Sequence, residues 1–309
     1  MPVATTNGIE LVYEVHGEPE APAVLLVMGL GMPAAMWPDE FVLALLGRGL
    51  RVVTFDNRDC GASTRLAHLP VPNIAVAMTR AMMGLPVRAP YTLTDMAIDA
   101  VAVLDAASIE RAHVVGVSMG GMIAQVLAAL VPQRVLTLTS IMSSSGNPAP
   151  RVAFGDMRAL QALLRPPPED PADIDAIVDH LVFVFGVIGS PGFAQDAAVL
   201  RPHLERVARR GLYRPGTARQ LGAILASGDR RRMLRNVEAP TLVIHGASDP
   251  LVPVAAGRDT ARHIRGAVLE VIEGMGHDFP PALMARIAAR VADHCHSSGL
   301  RQGEPESAA

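Results

Sequence analysis

Residues 112–121, which read AHVVGVSMGG, constrain the fold of this chain more than any other stretch. A β-branched run typical of a buried strand precedes Ser118, and apolar residues at helical spacing follow it. Gly116 and Gly120 flank the serine at the spacing of a Gly-x-Ser-x-Gly elbow, where glycines let a strand and a helix approach closely. Such a short pattern also occurs by chance, but the strand before it and the helix after it favour Ser118 as a nucleophile at a helix N-terminus.

The size and charge of the chain narrow its class. The 309 residues, half of them hydrophobic, are enough for one large α/β domain or for a core with an inserted subdomain. A net charge of -3 without long single-sign runs argues against nucleic acid or an anionic membrane surface as partner. No secretory signal and no apolar run of transmembrane length is visible, so we expect a cytoplasmic protein that acts on a small molecule.

Two residue types restrict the possible chemistry. The cysteines, Cys60 and Cys295, lie far apart and outside any metal-ligand spacing, which argues against a disulfide framework and a zinc site. The sequence contains no lysine, so all 27 basic residues are arginine. Ser-Lys dyads, Schiff-base and pyridoxal phosphate enzymes and lysine-bearing P-loops are therefore excluded, and we expect neither a cofactor nor a metal.

Strand and helix patterns alternate along residues 1–142, which predicts a mostly parallel central sheet with helices on both faces. One of these helices is predicted over residues 91–106, with Thr94 as its N-cap. Residues 143–236 break the alternation with turn-rich and helix-like sequence, and we interpret them as an inserted helical cap, either a lid over Ser118 or a decorative insertion. Residues 237–296 return to the α/β core, and residues 297–309 are predicted to be a disordered tail.

A methionine-rich segment lies within residues 66–90. Met78, Met82 and Met83 either line a hydrophobic entrance to the site or simply pack against the core.

A serine nucleophile needs a base, and one of the ten histidines is placed differently from the rest. His277 follows the last predicted strand in a glycine-rich loop that reaches the carboxyl edge of the sheet. Asp249 lies on the loop after the preceding strand and could orient the imidazole. Asp278 is an alternative acid, but its adjacency to His277 disfavours a good geometry. His113 and His245, near strand ends, are interpreted as structural.

The order Ser118, Asp249, His277 is that of α/β-hydrolases. Through VMGLG, FDNRDCGAS, GVSMGG, HGASDP and GMGH the chain resembles this superfamily along nearly its full length. Within it, MWPDEF, AHVVGVSMG and GMGH are most similar to the aclacinomycin methylesterase group of bacterial esterases. The α/β-hydrolase fold is therefore expected.

The resemblance implies a role for each site residue. Ser118 would be the nucleophile, His277 the general base and then acid, and Asp249 its orienting partner. The backbone N–H groups of Leu30 and Met119 would form the oxyanion hole. Where the superfamily often has His-Gly before the first of these donors, this chain has Met-Gly, so the motif does not say what holds the loop.

The expected activity is that of a serine carboxylesterase, which hydrolyses short to medium or hydrophobic methyl esters through an acyl-enzyme. Two alternatives stay open. A cofactor-free haloperoxidase or perhydrolase would use the same triad, and a non-catalytic ligand-binding protein could be built on the same fold.

Overall fold

A computed structural model describes residues 1–153, 155–168 and 170–300. Its eight strands, in chain order, are β1 Val3–Thr6, β2 Ile9–His16, β3 Ala23–Val27, β4 Arg51–Phe55, β5 Ala112–Val117, β6 Val135–Ile141, β7 Thr241–Gly246 and β8 Val268–Ile272. The α-helices described are α1 Asp39–Leu46, α2 Ile74–Met82, α3 Leu93–Ala106, α4 Met119–Leu130, α5 Pro150–Ala153, α6 Met157–Leu164, α7 Ile174–Ile188, α8 Ala197–Arg210, α9 Arg214–Ser227, α10 Arg231–Leu234, α11 Val254–His263 and α12 Pro281–Leu300.

The strands form one sheet in the order β1-β2-β4-β3-β5-β6-β7-β8. From β4 to β8 all neighbours pair in parallel, and β1 and β2 add an antiparallel edge. The predicted mostly parallel sheet is thus confirmed. Since β3, β5, β7 and β8 point the same way, the loops after them meet at the carboxyl edge of the sheet.

Helices cover both faces of the sheet, as predicted. In β3, Leu25 packs on the side of α3 and α4, whereas Leu26 packs on the side of α1 and α12. This alternation follows from the two-residue period of a strand, and a strand buried on both faces is apolar throughout. All five residues of β3 are buried.

Helix α3 spans Leu93–Ala106, whereas residues 91–106 were predicted, and its N-cap lies two residues before the predicted one. Thr92, not Thr94, is the N-cap: its hydroxyl accepts from the Asp95 N–H, while the Asp95 carboxylate accepts from the Thr92 N–H. The expected cap residue was wrong because only Thr92 has the acidic partner three positions on that completes a capping box.

Helices α5 to α10 all lie between β6 and β7, inside the segment predicted as a cap. The α7 and α8 helices form a small apolar core of their own around Ile177 and Leu204. In contrast, Ala223 of α9 and Leu234 of α10 belong to the main core. The division into a core of residues 1–142 and 237–296 and a cap of residues 143–236 therefore stays a prediction.

The last helix is longer than expected. The sequence assigned residues 297–309 to a disordered tail, but α12 continues to Leu300. The Ser297 hydroxyl donates to the His294 carbonyl, and His296 Nε2 lies 3.1 Å from the Arg48 carbonyl oxygen, so side chains stabilise this end of the helix. Residues 301–309 lie outside the described residues. No helix in the described part of the chain is long and apolar enough to cross a membrane.

Candidate active site

Ser118 lies in the tight turn between β5 and α4. Its backbone has φ 54° and ψ -120°, a conformation that residues other than glycine rarely adopt. A Cβ at Gly116 would lie 2.1 Å from the Gly120 carbonyl oxygen, and one at Gly120 would lie 2.0 Å from that of Val27. Both flanking glycines are therefore required by the close approach of the helix to the sheet, as the elbow pattern predicted.

Neighbouring groups hold the strained serine in place. The Ser118 N–H donates to the Ile141 carbonyl at 2.9 Å, and the Ser143 hydroxyl donates to the Ser118 carbonyl at 2.7 Å. A strained conformation of this kind costs about 1–3 kcal/mol and persists only where the surroundings fix it. The backbone at the elbow is thus fixed on both sides of the side chain.

The three residues predicted as a triad lie together at the carboxyl edge of the sheet. His277 Nε2 is 3.0 Å from Ser118 Oγ, and His277 Nδ1 is 2.7 Å from Asp249 Oδ2. These distances fit an imidazole that donates from Nδ1 to the carboxylate and accepts the serine proton at Nε2. The arrangement can transfer a proton from the hydroxyl to the ring.

The Asp249 carboxylate is fixed from its other side. Its Oδ1 accepts from the N–H groups of Leu251 and Val252, at 2.9 and 2.8 Å. His245 is close as well, with Nε2 3.5 Å from Asp249 Oδ2 and 2.8 Å from the Val252 carbonyl oxygen. Burial lowers the pKa of His245, which favours the neutral ring.

The histidine loop, residues 273–279, is hydrogen-bonded to the last residue of α7 and to the segment that follows it. The His277 N–H donates to the Ile188 carbonyl at 2.8 Å, and the Gly276 N–H donates to Ser190 Oγ at 2.8 Å. The Gly192 N–H reaches the Gly274 carbonyl at 2.9 Å. The inserted segment therefore helps to set the position of the imidazole.

Asp278, the alternative acid, has other partners. The Ser190 hydroxyl donates to its Oδ1, and Gln195 Nε2 donates to its Oδ2 at 3.0 Å. Burial raises the pKa of the Asp278 carboxyl, while the two hydrogen bonds act against that rise. The carboxylate that contacts the His277 ring is that of Asp249, whereas Asp278 joins the histidine loop to the inserted segment.

The oxyanion loop, residues 28–34, passes over the nucleophile. A Cβ at Gly29 would lie 3.3 Å from Ser118 Cβ, so the backbone before Leu30 approaches the serine closely. Met119 is the first residue of α4, where N–H groups have no acceptor inside the helix. The structure thus places the residues of both predicted donors beside the Ser118 side chain.

Three side chains far away in the sequence hold the oxyanion loop. Asn57 Nδ2 donates to the Met28 carbonyl at 3.1 Å, and Asp56 Oδ1 accepts from the Ala34 N–H at 2.7 Å. Gln220 Oε1 accepts from the Gly31 N–H at 2.8 Å. These three contacts hold the loop in this chain, which has Met-Gly where the superfamily often has His-Gly.

Gln220 is itself firmly placed. Its Nε2 donates to the Arg58 carbonyl at 2.8 Å, and the side chain is fully buried on α9. The preceding residue, Arg219, makes two bonds of 2.8 Å to the buried Asp59 carboxylate, which also accepts from the Tyr91 hydroxyl. A bidentate pair of this kind fixes direction as well as distance, so α9 has one position on the core.

Local sequence patterns hardly indicate these supports. The density of polar residues in the turn DNRDCGAS, directly after the buried β4, is the signal that could have identified Asp56 and Asn57. Nothing local identifies Gln220, which is 189 residues from its partner.

A cavity of about 650 Å³ opens above Ser118. Its walls are mostly apolar, and the lining side chains include Met28, Met32, Met36, Met122, Met142, Val182, Val184, Phe185, Ile188, Leu200, Leu221, Ile224 and Phe279. The inserted segment supplies many of them.

The methionine-rich segment does not line this cavity. Met78, Met82 and Met83 are absent from its wall, and the last two are 68% and 67% exposed. Met78 is half-buried, and Ala77 is the only residue of α2 that is fully buried. The methionines that do line the cavity lie on the oxyanion loop, beside it, on α4 and after β6.

Comparison with known proteins agrees with this fold. The family described as the alpha/beta hydrolase fold matches residues 22–171. The rhodomycin D methylesterase DnrP of Streptomyces peucetius is 30% identical, over 95% of this chain and 97% of its own length. A putative carbamate hydrolase, RutD of Variovorax paradoxus, is 32% identical over 86% of this chain and 88% of its own.

Among solved structures, the enol-lactonase of Burkholderia xenovorans LB400 superposes with a TM-score of 0.71. It is 24% identical and covers 96% of this chain and 100% of its own. The full-length match to the methylesterase, the family match and the sheet topology agree, and the chain belongs to the α/β-hydrolase fold family.

Proposed function

We propose that this protein is a serine carboxylesterase that hydrolyses short to medium or hydrophobic methyl esters through an acyl-enzyme. One observation carries the proposal: Asp249, His277 and Ser118 form a continuous hydrogen-bonded chain that ends in an apolar cavity. Serine nucleophiles in other enzymes are activated in this way.

In the first half of the reaction, Ser118 Oγ attacks the ester carbonyl carbon while its proton passes to His277 Nε2. Asp249 stabilises the imidazolium that forms. The negative charge on the carbonyl oxygen is held by the N–H groups of Leu30 and Met119. Each such donor lowers the barrier by roughly 3 kcal/mol. Collapse of this intermediate breaks the ester bond, and His277 gives its proton to the departing alcohol.

In the second half, a water molecule attacks the acyl-enzyme. His277 takes the proton of the water and the same two N–H groups hold the second oxyanion. Collapse returns the proton to Ser118 Oγ and releases the carboxylic acid. The water is the only co-reactant.

The cavity supports the proposed substrate class. Its methionine, valine and leucine walls favour apolar groups on either side of the ester, because burying apolar surface contributes about 25 cal/mol per Å². The name of the DnrP relative, a methylesterase, supports a methyl ester among the substrates.

Residues 143–236 act in this proposal as a cap that closes the cavity over the nucleophile. Val184, Phe185 and Leu200 from this segment line the cavity. A lid of this kind excludes water from the charged transition state.

The test is labelling with a fluorophosphonate probe. Wild-type protein should be labelled at Ser118, whereas Ser118→Ala should not, with the same thermal midpoint. A folded wild type that resists labelling would instead support a ligand-binding protein without catalysis. Peracid formation from acetate and hydrogen peroxide, measured beside ester hydrolysis, tests the perhydrolase alternative: a peracid rate above the ester rate would overturn the esterase assignment.

A further inference from the structure

The charged groups of the cavity are few. Among the described residues that line it, Asp278 is the only acid, and arginine is absent. The sequence has no lysine that could reach into it. The remaining titratable groups of the wall are His277, which belongs to the proposed triad, and His203 on α8.

The hydrogen bonds of Asp278 are those of an ionised carboxylate. Ser190 Oγ accepts from the Gly276 N–H, so its own proton is free to point at Asp278 Oδ1. Gln195 Nε2 donates to Oδ2. Both carboxylate oxygens thus accept, as those of an ionised carboxylate do, and these two bonds act against the rise in the Asp278 pKa that burial causes.

His203 does not offset this charge. Burial and, after it, the nearby Arg206 lower the pKa of His203. Its Nδ1 lies 3.1 Å from the Arg206 guanidinium and its Nε2 lies 3.3 Å from the Met36 carbonyl oxygen. The ring accepts at one nitrogen and donates at the other, as a neutral imidazole does.

From this distribution we infer that the site selects esters without negative charge, and that Asp278 is the residue that rejects esters carrying a free carboxylate. The inference rests on the proposed esterase function and names the substrate class of the same site. A carboxylate entering the cavity loses its water and meets no cation to replace it. At about 6 Å and an effective dielectric constant of about 20, repulsion from one fixed carboxylate alone amounts to roughly 100-fold in binding.

The test compares two substrates of the same length and shape. One is the mono-p-nitrophenyl ester of suberic acid, which ends in a carboxylate. The other is the same ester with that carboxyl converted to a primary amide. We expect wild-type kcat/KM to be on the order of 100-fold higher for the amide at neutral pH.

Two variants connect the discrimination to Asp278. Asp278→Asn removes the charge and keeps the shape, and Gln195→Arg places a cation beside the carboxylate. In each, the ratio of the two kcat/KM values should fall about tenfold or more. The ratio is the readout because any disturbance of the histidine loop affects both substrates alike. If Asp278→Asn fails to fold, Gln195→Arg still tests the assignment.

Each outcome decides one point. Equal turnover of both esters by wild type would overturn the inference while the esterase function stands. A ratio unchanged in a folded variant would overturn the role of Asp278. Failure to hydrolyse either suberic ester and also p-nitrophenyl butyrate would overturn the proposed function itself.

Discussion

The histidine loop and the oxyanion loop face each other across Ser118, but they are held in different ways. In the histidine loop, a buried charge partner, Asp249, fixes the ring. The backbone N–H groups of this loop donate to the carbonyl of Ile188 at the end of α7 and to the hydroxyl of Ser190 just after it. The oxyanion loop offers backbone N–H groups to the site, and the amides of Asn57 and Gln220 and the carboxylate of Asp56 tether it. The histidine half therefore works through a charge that acts on the ring itself, whereas the oxyanion half works through the position of its backbone N–H groups.

The largest expected effect comes from the charge-dependent half. His277→Ala should lower kcat for p-nitrophenyl butyrate by about 10⁴-fold or more, and Asp249→Asn by about 10⁴-fold, because the ring then loses its base or its tautomer. Steady-state kinetics measures both. Circular dichroism and the thermal midpoint serve as controls for folding. Activity within tenfold of wild type in either folded variant would reassign its role.

The geometry-dependent half should respond to Gln220→Met, which keeps the side-chain volume and removes the acceptor for the Gly31 N–H. We expect kcat to fall about 10- to 100-fold with KM nearly unchanged, since a misplaced oxyanion donor acts on the transition state. Binding of a trifluoromethyl ketone, which mimics the tetrahedral intermediate, should weaken by the same factor.

Ser227→Ala is the matched control for that variant. Ser227 Oγ also lies on α9 and accepts from a core N–H, that of Leu93, at 3.0 Å, but it does not touch the oxyanion loop. Equal losses of kcat in the two variants would mean that Gln220 acts only through the packing of α9.

A smaller effect is expected where the inserted segment meets the histidine loop. Ser190→Ala removes the acceptor of the Gly276 N–H and one donor to Asp278, but leaves the bond from the His277 N–H to Ile188. We predict a loss of about fivefold in kcat, because one of several bonds is removed. Ser144→Ala, which removes a backbone contact to Gly146 elsewhere in the segment, should leave kcat unchanged.

The smallest effect concerns the stability of the fold at low pH rather than activity. Burial lowers the pKa of His113 to about 4 from its usual 6.5. The unfolded chain therefore binds the proton first, and the folded state loses stability as pH falls from about 6.5 to about 4.

Urea unfolding at pH 7 and pH 5 checks this expectation. The free energy of unfolding should fall by about 2 kcal/mol more in wild type than in His113→Asn, which keeps a polar partner for Thr137. An equal decrease in the free energy of unfolding in both proteins would show that protonation of His113 does not cause the loss of stability in acid.

The features that the sequence predicted correctly depend on residues that lie close together in the chain. The parallel sheet follows from apolar runs of strand length, and the elbow follows from two glycines that no other residue could replace. His277 and Asp249 could be proposed because each follows a strand directly. Gln220 could not, since its partner is reached only once α9 has packed on the core, and Met82 was misjudged because an apolar residue may remain exposed on a surface helix.

The fixed position of α9 limits how substrates enter and products leave. To swing residues 143–236 away as a single body, the protein would have to separate Arg219 from Asp59, and breaking a buried pair costs about 3–5 kcal/mol. The same motion would break the bond from the Gly31 N–H to Gln220 and that from the Gly276 N–H to Ser190. Both the oxyanion loop and the histidine loop would then lose a support each time the cavity opened. Movement of residues 143–236 as one body is therefore disfavoured as long as α9 stays docked on the core.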